Sequence, residues 1–144
     1  MLDDFPHNPP SDLPPFNQHG VLPPGDYAPD RASFEDRFAN HNSSGERRDI
    51  YDGWNRHRRA LVQSGLKGTA KQLLNGSFTT AKDMPGDLDL AVEVPIDGDI
   101  TQQFPPPELA PVEALLRGDE MKTEYHCDAY PIYNLPLTMT IMKL

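Results

Sequence analysis

Large apolar residues occupy every second position of the sequence Asp87-Leu88-Asp89-Leu90-Ala91-Val92-Glu93-Val94, and Pro95 follows it. Alternation with a period of two is typical of a β-strand that buries one face, so a strand is predicted from Leu88 to Val94. Its apolar face consists of Leu88, Leu90, Val92 and Val94. On the opposite face, Asp87 and Asp89 follow each other at a Cα separation of roughly 6.5 Å. The strand is therefore expected to hold two carboxylates on one rigid element.

Nine residues separate Gly76-Ser77 from Asp87. Glycine lets a backbone approach a phosphate closely, and a serine hydroxyl with nearby N–H groups at a helix start can donate to phosphate oxygens. Paired carboxylates can hold one or two divalent cations, and hard oxygen ligands favour Mg²⁺ or Mn²⁺. Gly76, Ser77 and the nearby Lys82 are therefore candidate nucleotide-binding residues. The alternative is that both short motifs are ordinary turns.

This arrangement resembles the nucleotidyltransferase superfamily typified by DNA polymerase beta, whose signature is Gly-[Gly/Ser], a short spacer and Asp-apolar-[Asp/Glu]-apolar. That superfamily carries a third carboxylate on a later strand, and Asp128 matches it. A narrower resemblance, to a small family of uncharacterised microbial and phage nucleotidyltransferase-like proteins, covers residues 14 to about 133. The segments that carry it are Phe16-Asn17, Gly20, Leu22-Pro23-Pro24-Gly25, Gly76 to Lys82, Pro85 to Asp89 and Tyr125 to Asp128.

The resemblance implies a minimal nucleotidyltransferase core and transfer of a nucleoside monophosphate from an NTP to an unidentified acceptor (a protein, an RNA or a small molecule), with release of pyrophosphate. Asp87 and Asp89 would hold the metal ions, and Asp128 would bind the one that activates the acceptor oxygen. Gly76 and Ser77 would hold the β- and γ-phosphates, with Lys82 or an arginine of residues 47–59 neutralising charge. Three such carboxylates repel one another when no cation is bound. A catalytically inactive relative, acting as a toxin–antitoxin or phage-defence partner, is the alternative function.

The remaining patterns predict an α+β fold with a small mixed sheet and helices packed on one face. A short helix is expected from Ser33, as N-cap, through Phe38. A longer one is expected from Ser43 or Ser44 to Ser64, with an apolar stripe at helical spacing that consists of Ile50, Tyr51, Trp54, Leu61 and Val62. The other expected elements are a strand at Lys71–Asn75, a helix at Glu108–Arg117 and a strand at Tyr125–Ile132 that carries His126, Asp128 and Tyr130 on one face. Trp54 and Cys127 are expected in the core.

The charges are segregated along the chain. Seven of its 13 basic residues fall in one stretch, namely Arg47, Arg48, Arg56, Arg58, Arg59, Lys67 and Lys71. Residues 83–128 hold twelve acidic and two basic residues. The basic cluster is interpreted either as a solvated helix face or as a positive wall that faces a polyphosphate or a nucleic-acid backbone.

The composition limits the remaining choices. The 144 residues carry a net charge of -9, which argues against non-specific binding of nucleic acid or anionic membrane. One cysteine excludes an internal disulfide and fits a reducing, cytoplasmic location, and no apolar run is long enough to span a membrane. Half of the 16 prolines fall within residues 1–29. We expect a disordered tail at 1–13 and a domain at 14–144 that opens with an extended proline-rich arm. The apolar segment Leu135–Leu144 is a candidate edge strand or a contact with another subunit or protein partner.

Overall fold

The computed structural model describes residues 9–43, 45–68, 70–96 and 106–134. In these residues the protein has a mixed α+β fold with one three-stranded sheet and four α-helices, as predicted for the fold class. Residues 1–8 of the predicted tail at 1–13 and the apolar segment Leu135–Leu144 lie outside the described residues.

The sheet has β2 (Asp89–Pro95) in its centre, flanked by β1 (Gln72–Asn75) and β3 (Asp128–Asn134). The β2 strand is antiparallel to β1 and parallel to β3, so the sheet is mixed, as predicted. The predicted alternation is confirmed, because all four apolar residues from Leu88 to Val94 are at most 1% exposed. One face of the sheet therefore forms the core, and the other face carries Asp89.

The long helix α2 (Gly45–Gln63) matches its predicted span and supplies most of the helical side of the core. Its predicted apolar stripe is buried at Ile50, Tyr51, Trp54 and Leu61, whereas Val62 is 52% exposed. The helix therefore faces the sheet through one stripe, and Val62 was wrongly included in that stripe.

The first helix, α1 (Arg31–Phe34), begins differently from the prediction. Its N-cap is Asp30, whose carboxylate accepts a hydrogen bond from the Ser33 N–H at 2.8 Å, so the prediction that Ser33 caps the helix was wrong. An aspartate at this position can satisfy an otherwise unpaired N–H group of the first turn. The helix continues into a π-helical turn, Glu35–Ala39, which buries Phe38.

The segment before β3 also differs from the prediction. A short helix α3 (Ala110–Glu113) follows a 3₁₀ turn at Pro107–Leu109, and both are shorter than the single helix expected at Glu108–Arg117. A second short helix, α4 (Lys122–Tyr125), occupies the start of the expected strand, so β3 begins only at Asp128. The reason is tertiary packing: a Cβ atom on Gly53 would lie 2.3 Å from the carbonyl oxygen of Tyr125, so α4 rests directly on α2.

Residues 14–25 of the proline-rich arm contact the domain, as predicted, but they are not extended throughout, because a hydrogen-bonded turn occupies Asn17 to Val21. Leu13, Phe16 and Leu22 pack against the core, while Val21 is 38% exposed. Arg37 donates hydrogen bonds to the carbonyl oxygens of Leu13 and Pro14. The arm is therefore held through both apolar and backbone contacts.

Candidate functional site

The register of the two parallel strands places Asp89 beside Asp128. Their Cα atoms are partners in the β2–β3 ladder, and the Asp128 N–H donates to the carbonyl oxygen of Leu88 at 3.0 Å. Partner residues in a ladder project from the same face of the sheet. The third carboxylate expected from the sequence therefore lies on the same sheet face as the second.

Asp87, the first aspartate of the Asp-Leu-Asp motif, is bound by the Gly76-Ser77 turn. Both the N–H and the hydroxyl of Ser77 donate to Asp87 Oδ1, at 2.7 and 2.5 Å, and the hydroxyl accepts from the Gly86 N–H. Gly76 has a φ of 93°, and a Cβ there would meet the carbonyl oxygen and Oδ1 of Asp87 at 3.2 Å. Glycine is required for both reasons, and the turn starts a 3₁₀ helix at Ser77–Thr79. The donors predicted to bind phosphate are thus bonded to Asp87 in this structure.

The two aspartates of the Asp-Leu-Asp motif differ in electrostatic environment. The side-chain and backbone hydrogen bonds from Ser77 lower the pKa of Asp87. Burial, and next the negative charges of Asp87 and Asp128, raise the pKa of Asp89. The predicted repulsion among the carboxylates is therefore concentrated on Asp89, which has the other two as electrostatic neighbours.

Lys122 belongs to this site and was missed at the level of sequence. Its Nζ lies 3.5 Å from Asp128 Oδ1, an atom that is buried and accepts no hydrogen bond from the described residues. The same positive charge adds to the lowering of the Asp87 pKa that the Ser77 hydrogen bonds cause, and it offsets part of the rise in the Asp89 pKa that burial and the neighbouring carboxylates cause. One signal was available: Lys122 is one of only two basic residues in the acidic stretch 83–128.

The fit of these residues to a divalent cation is partial. Their oxygen donors, the buried Asp128 Oδ1 and the repulsion on Asp89 all favour a bound cation. However, among the described residues no group of three or more His, Cys, Asp or Glu side chains is arranged to hold a metal ion. In this structure, Ser77 binds Asp87 and Lys122 pairs with Asp128 instead.

Arg47 holds the segment that follows the Gly-Ser turn. It is fully buried, and its guanidinium donates to the carbonyl oxygens of Phe38, Phe78, Thr80 and Lys82 at 2.5–3.0 Å. For Arg47, both the solvated-face and the phosphate-facing interpretations of the basic cluster are therefore wrong. A buried cation that binds several carbonyl groups stabilises the segment that carries them.

Lys82 and His126 are two further residues whose positions were predicted from the sequence. The Lys82 side chain is exposed, and its charge is the smallest of the contributions that lower the pKa of Asp87. His126 ends α4 in the left-handed conformation, with a φ of 57°, so it is not on the strand and the prediction that it shares a strand face with Asp128 was wrong. Lys82 remains a candidate nucleotide-binding residue.

Cys127 is fully buried beside the site, as predicted for a core residue. Burial, followed by the charges of Asp128 and Asp89, raises its pKa to about 12. The reactive form of cysteine is the thiolate, so this thiol is unsuited to nucleophilic catalysis. The chemistry of the site therefore rests on carboxylates.

A family model described as "Family of unknown function (DUF6932)" matches residues 14–141, and the chain therefore belongs to that family. Neither the curated proteins nor the solved structures include a match to the chain. Among the described residues, no helix has the length and apolar character needed to cross a membrane.

Proposed function

We propose that this protein is a nucleotidyltransferase with a minimal nucleotidyltransferase core, which uses Mg²⁺ or Mn²⁺ to transfer a nucleoside monophosphate from an NTP to an acceptor. The observation that carries the proposal is the register partnership of Asp89 and Asp128 on parallel strands. Asp87, two residues before Asp89, is bound by the Gly-Ser turn that the resemblance assigns to phosphate binding. Carboxylates on neighbouring strands beside a phosphate-binding turn suit this chemistry.

In this proposal, Asp87, Asp89 and Asp128 hold the cations, which when bound would stabilise negative charge on the phosphates. The acceptor hydroxyl oxygen forms a bond to the α-phosphorus, and the bond from that phosphorus to the β-bridging oxygen breaks, which releases pyrophosphate. The Asp128 carboxylate, beside Asp89 in the strand register, takes the hydroxyl proton. Asp89 has its charge destabilised by its neighbours, so it gains most from a bound cation.

The phosphate-binding step requires an exchange of hydrogen bonds. Ser77 would release Asp87 Oδ1 and donate its N–H and hydroxyl to the β- and γ-phosphates, while Asp87 turns to the cation. Gly76 leaves room for a phosphate because it has no side chain, and Lys82 is exposed close enough to neutralise charge. Arg47 keeps the backbone of this segment in place during the exchange.

The test uses the four NTPs labelled at the α-phosphate, with the purified chain alone and with protein, RNA and small-molecule fractions of a cell extract. We expect label transfer and pyrophosphate release that require Mg²⁺ or Mn²⁺. Asp89→Asn and Asp128→Asn should each remove this activity, whereas Asp49→Asn, a change at an exposed aspartate of α2, should retain it. Pyrophosphate release that persists in EDTA, or that is equal in all three variants, would overturn the proposal.

A second function, a catalytically inactive binding or regulatory protein, is favoured by one observation. Lys122 pairs with Asp128 and Ser77 binds Asp87 without a metal ion. If this alternative holds, the protein can bind an NTP but does not cleave it, whether or not Mg²⁺ or Mn²⁺ is present. Binding of an NTP without pyrophosphate release by the folded wild-type protein would support it.

A further inference from the structure

A groove lies on the helix side of β1, and no acidic residue of the described part of the chain lines it. It has a volume of about 570 Å³ and is bounded by α2, by residues 66–68 with Ala70, and by β1. Four basic residues line it, namely Arg31, Arg58, Arg59 and Lys67. In a chain with a net charge of -9, this is a local concentration of positive charge.

Among the described residues, none of these four cations is given an acidic partner. The basic members of the ion pairs there are Arg48 and Lys122. Arg31 and Arg58 instead donate to the same neutral oxygen, Asn55 Oδ1, at 3.2 and 3.0 Å. Burial, and next the charge of Arg31, lower the pKa of Arg58. The groove therefore brings like charges together, and a bound anion would offset their repulsion.

Arg58 is held in a fixed orientation. Its guanidinium lies over the ring of Trp54 at 5.1 Å, and the indole N–H of Trp54 donates to Gln72 Oε1 at 2.9 Å. Trp54 is only 6% exposed, so its ring offers no free face for a nucleobase. The groove thus presents charged donors without a stacking surface.

The groove is distinct from the carboxylate site. Gln72 and Leu74 of β1 line the groove. Asn75, which is the register partner of Asp89, points to the opposite face of the sheet because successive strand residues alternate. None of the candidate nucleotide-binding or metal-binding residues lines the groove.

We propose that this groove binds the phosphate groups of a small polyphosphate-bearing ligand. Guanidinium groups match phosphate oxygens through paired N–H donors, and the groove volume lies within the range of small-ligand sites. Nucleic acid is disfavoured as a ligand, because four cations are few for a phosphate backbone. The remaining acidic surface of the protein would also repel such a backbone. This site is independent of the proposed transferase activity.

The test is calorimetric titration with inorganic tripolyphosphate in EDTA, so that no divalent cation contributes. We expect saturable binding by the wild type, and binding about tenfold weaker or more in the double variant Arg59→Gln with Lys67→Gln. Both residues are exposed, so the fold should be retained. The matched control, Lys71→Gln with Arg117→Gln, removes the same charge at exposed positions outside the groove and should bind within about twofold of the wild type.

Asp89→Asn separates this proposal from the proposed function, because it should leave tripolyphosphate binding in EDTA intact even if transferase activity is absent. Three results would overturn the groove site: no saturable binding, an equal loss in the control variant, or a loss in Asp89→Asn equal to that in Arg59→Gln with Lys67→Gln. A 5′-phosphorylated oligonucleotide that binds more tightly than tripolyphosphate would overturn the assignment to a small ligand.

Discussion

The Nζ of Lys122 lies 3.5 Å from Oδ1 of Asp128, six residues further along the chain. The carboxylate side chain is 17% exposed, and this oxygen accepts no hydrogen bond from the described residues. Lys122 is the first residue of α4, which ends three residues before Asp128, so the position of this short helix places the positive charge near the carboxylate. Lys122 thus supplies the charge that a bound cation would supply to the same carboxylate.

Replacement of Lys122 by methionine keeps the length of the side chain and removes the charge. We expect the free energy of unfolding in EDTA to fall by about 0.5–1 kcal/mol, because a partly buried carboxylate loses its ion pair. Urea denaturation measures this change, with Lys82→Met, an exposed lysine not ion-paired with a described residue, as the control. Equal stability of both variants and the wild type would show that the pair contributes nothing.

Arg47→Met should destabilise the protein by at least about 3 kcal/mol, since four buried or partly buried carbonyl groups lose their donor. Arg47→Lys retains the charge with fewer donors and should lose less. The urea midpoint measures both, and Arg59→Gln is the control at an exposed arginine. A loss for Arg47→Met no larger than that for Arg59→Gln would contradict the role assigned to Arg47.

Gly53→Ala tests the contact that positions α4. The added Cβ would overlap the carbonyl oxygen of Tyr125, so we expect a loss of about 1–3 kcal/mol although alanine is the better helix former. Gly45→Ala, in the same helix with no atom within 4 Å of the added Cβ, should be neutral or stabilising by up to about 1 kcal/mol. Thermal unfolding of the two variants should therefore change in opposite directions or by clearly different amounts.

His57 predicts a pH dependence of stability. It is fully buried on α2, its Nε2 lies 2.7 Å from the carbonyl oxygen of Leu115, and burial lowers its pKa below 6.5. As the pH falls, His57 therefore takes up a proton in the unfolded chain at a higher pH than in the folded chain. The contribution of neutral His57 to the free energy of unfolding is complete above pH 6.5 and decreases as the pH falls below that value.

Urea denaturation between pH 7.5 and pH 5.5 measures this effect, which is at most about 1.4 kcal/mol per pH unit for one proton. The slope should decrease in His57→Gln and remain in His19→Gln, a change at an exposed histidine. An unchanged slope in His57→Gln would assign the pH dependence to other groups.

Much of the sheet and of α2 could be predicted because their signals are local. The alternation from Leu88 to Val94 and the stripe on α2 reflect burial of one face, which a period of two or 3.6 residues reveals directly. The pairing of Asp89 with Asp128 could be expected only through the resemblance, because the two residues are far apart in the chain.

The features that sequence did not predict depend on contacts between distant segments. Tyr125, His126 and Cys127 have the composition of a strand, but contact of Tyr125 with Gly53 favours a helix that ends at His126. Arg47 has the pattern of a surface charge, because its carbonyl partners lie up to 35 residues away. Long-range contacts of this kind leave no periodic signal in the sequence.

We propose that Asp87, Asp89 and Asp128 form a divalent-cation site, which can be tested by measuring Mn²⁺ binding with electron paramagnetic resonance. We expect saturable Mn²⁺ binding by the wild type, loss of that binding in Asp89→Asn, and tighter binding in Lys122→Met because the competing ammonium group is gone. Asp49→Asn should bind Mn²⁺ as the wild type does. The absence of saturable Mn²⁺ binding by the folded wild type, or binding that Asp89→Asn leaves unchanged, would contradict the account.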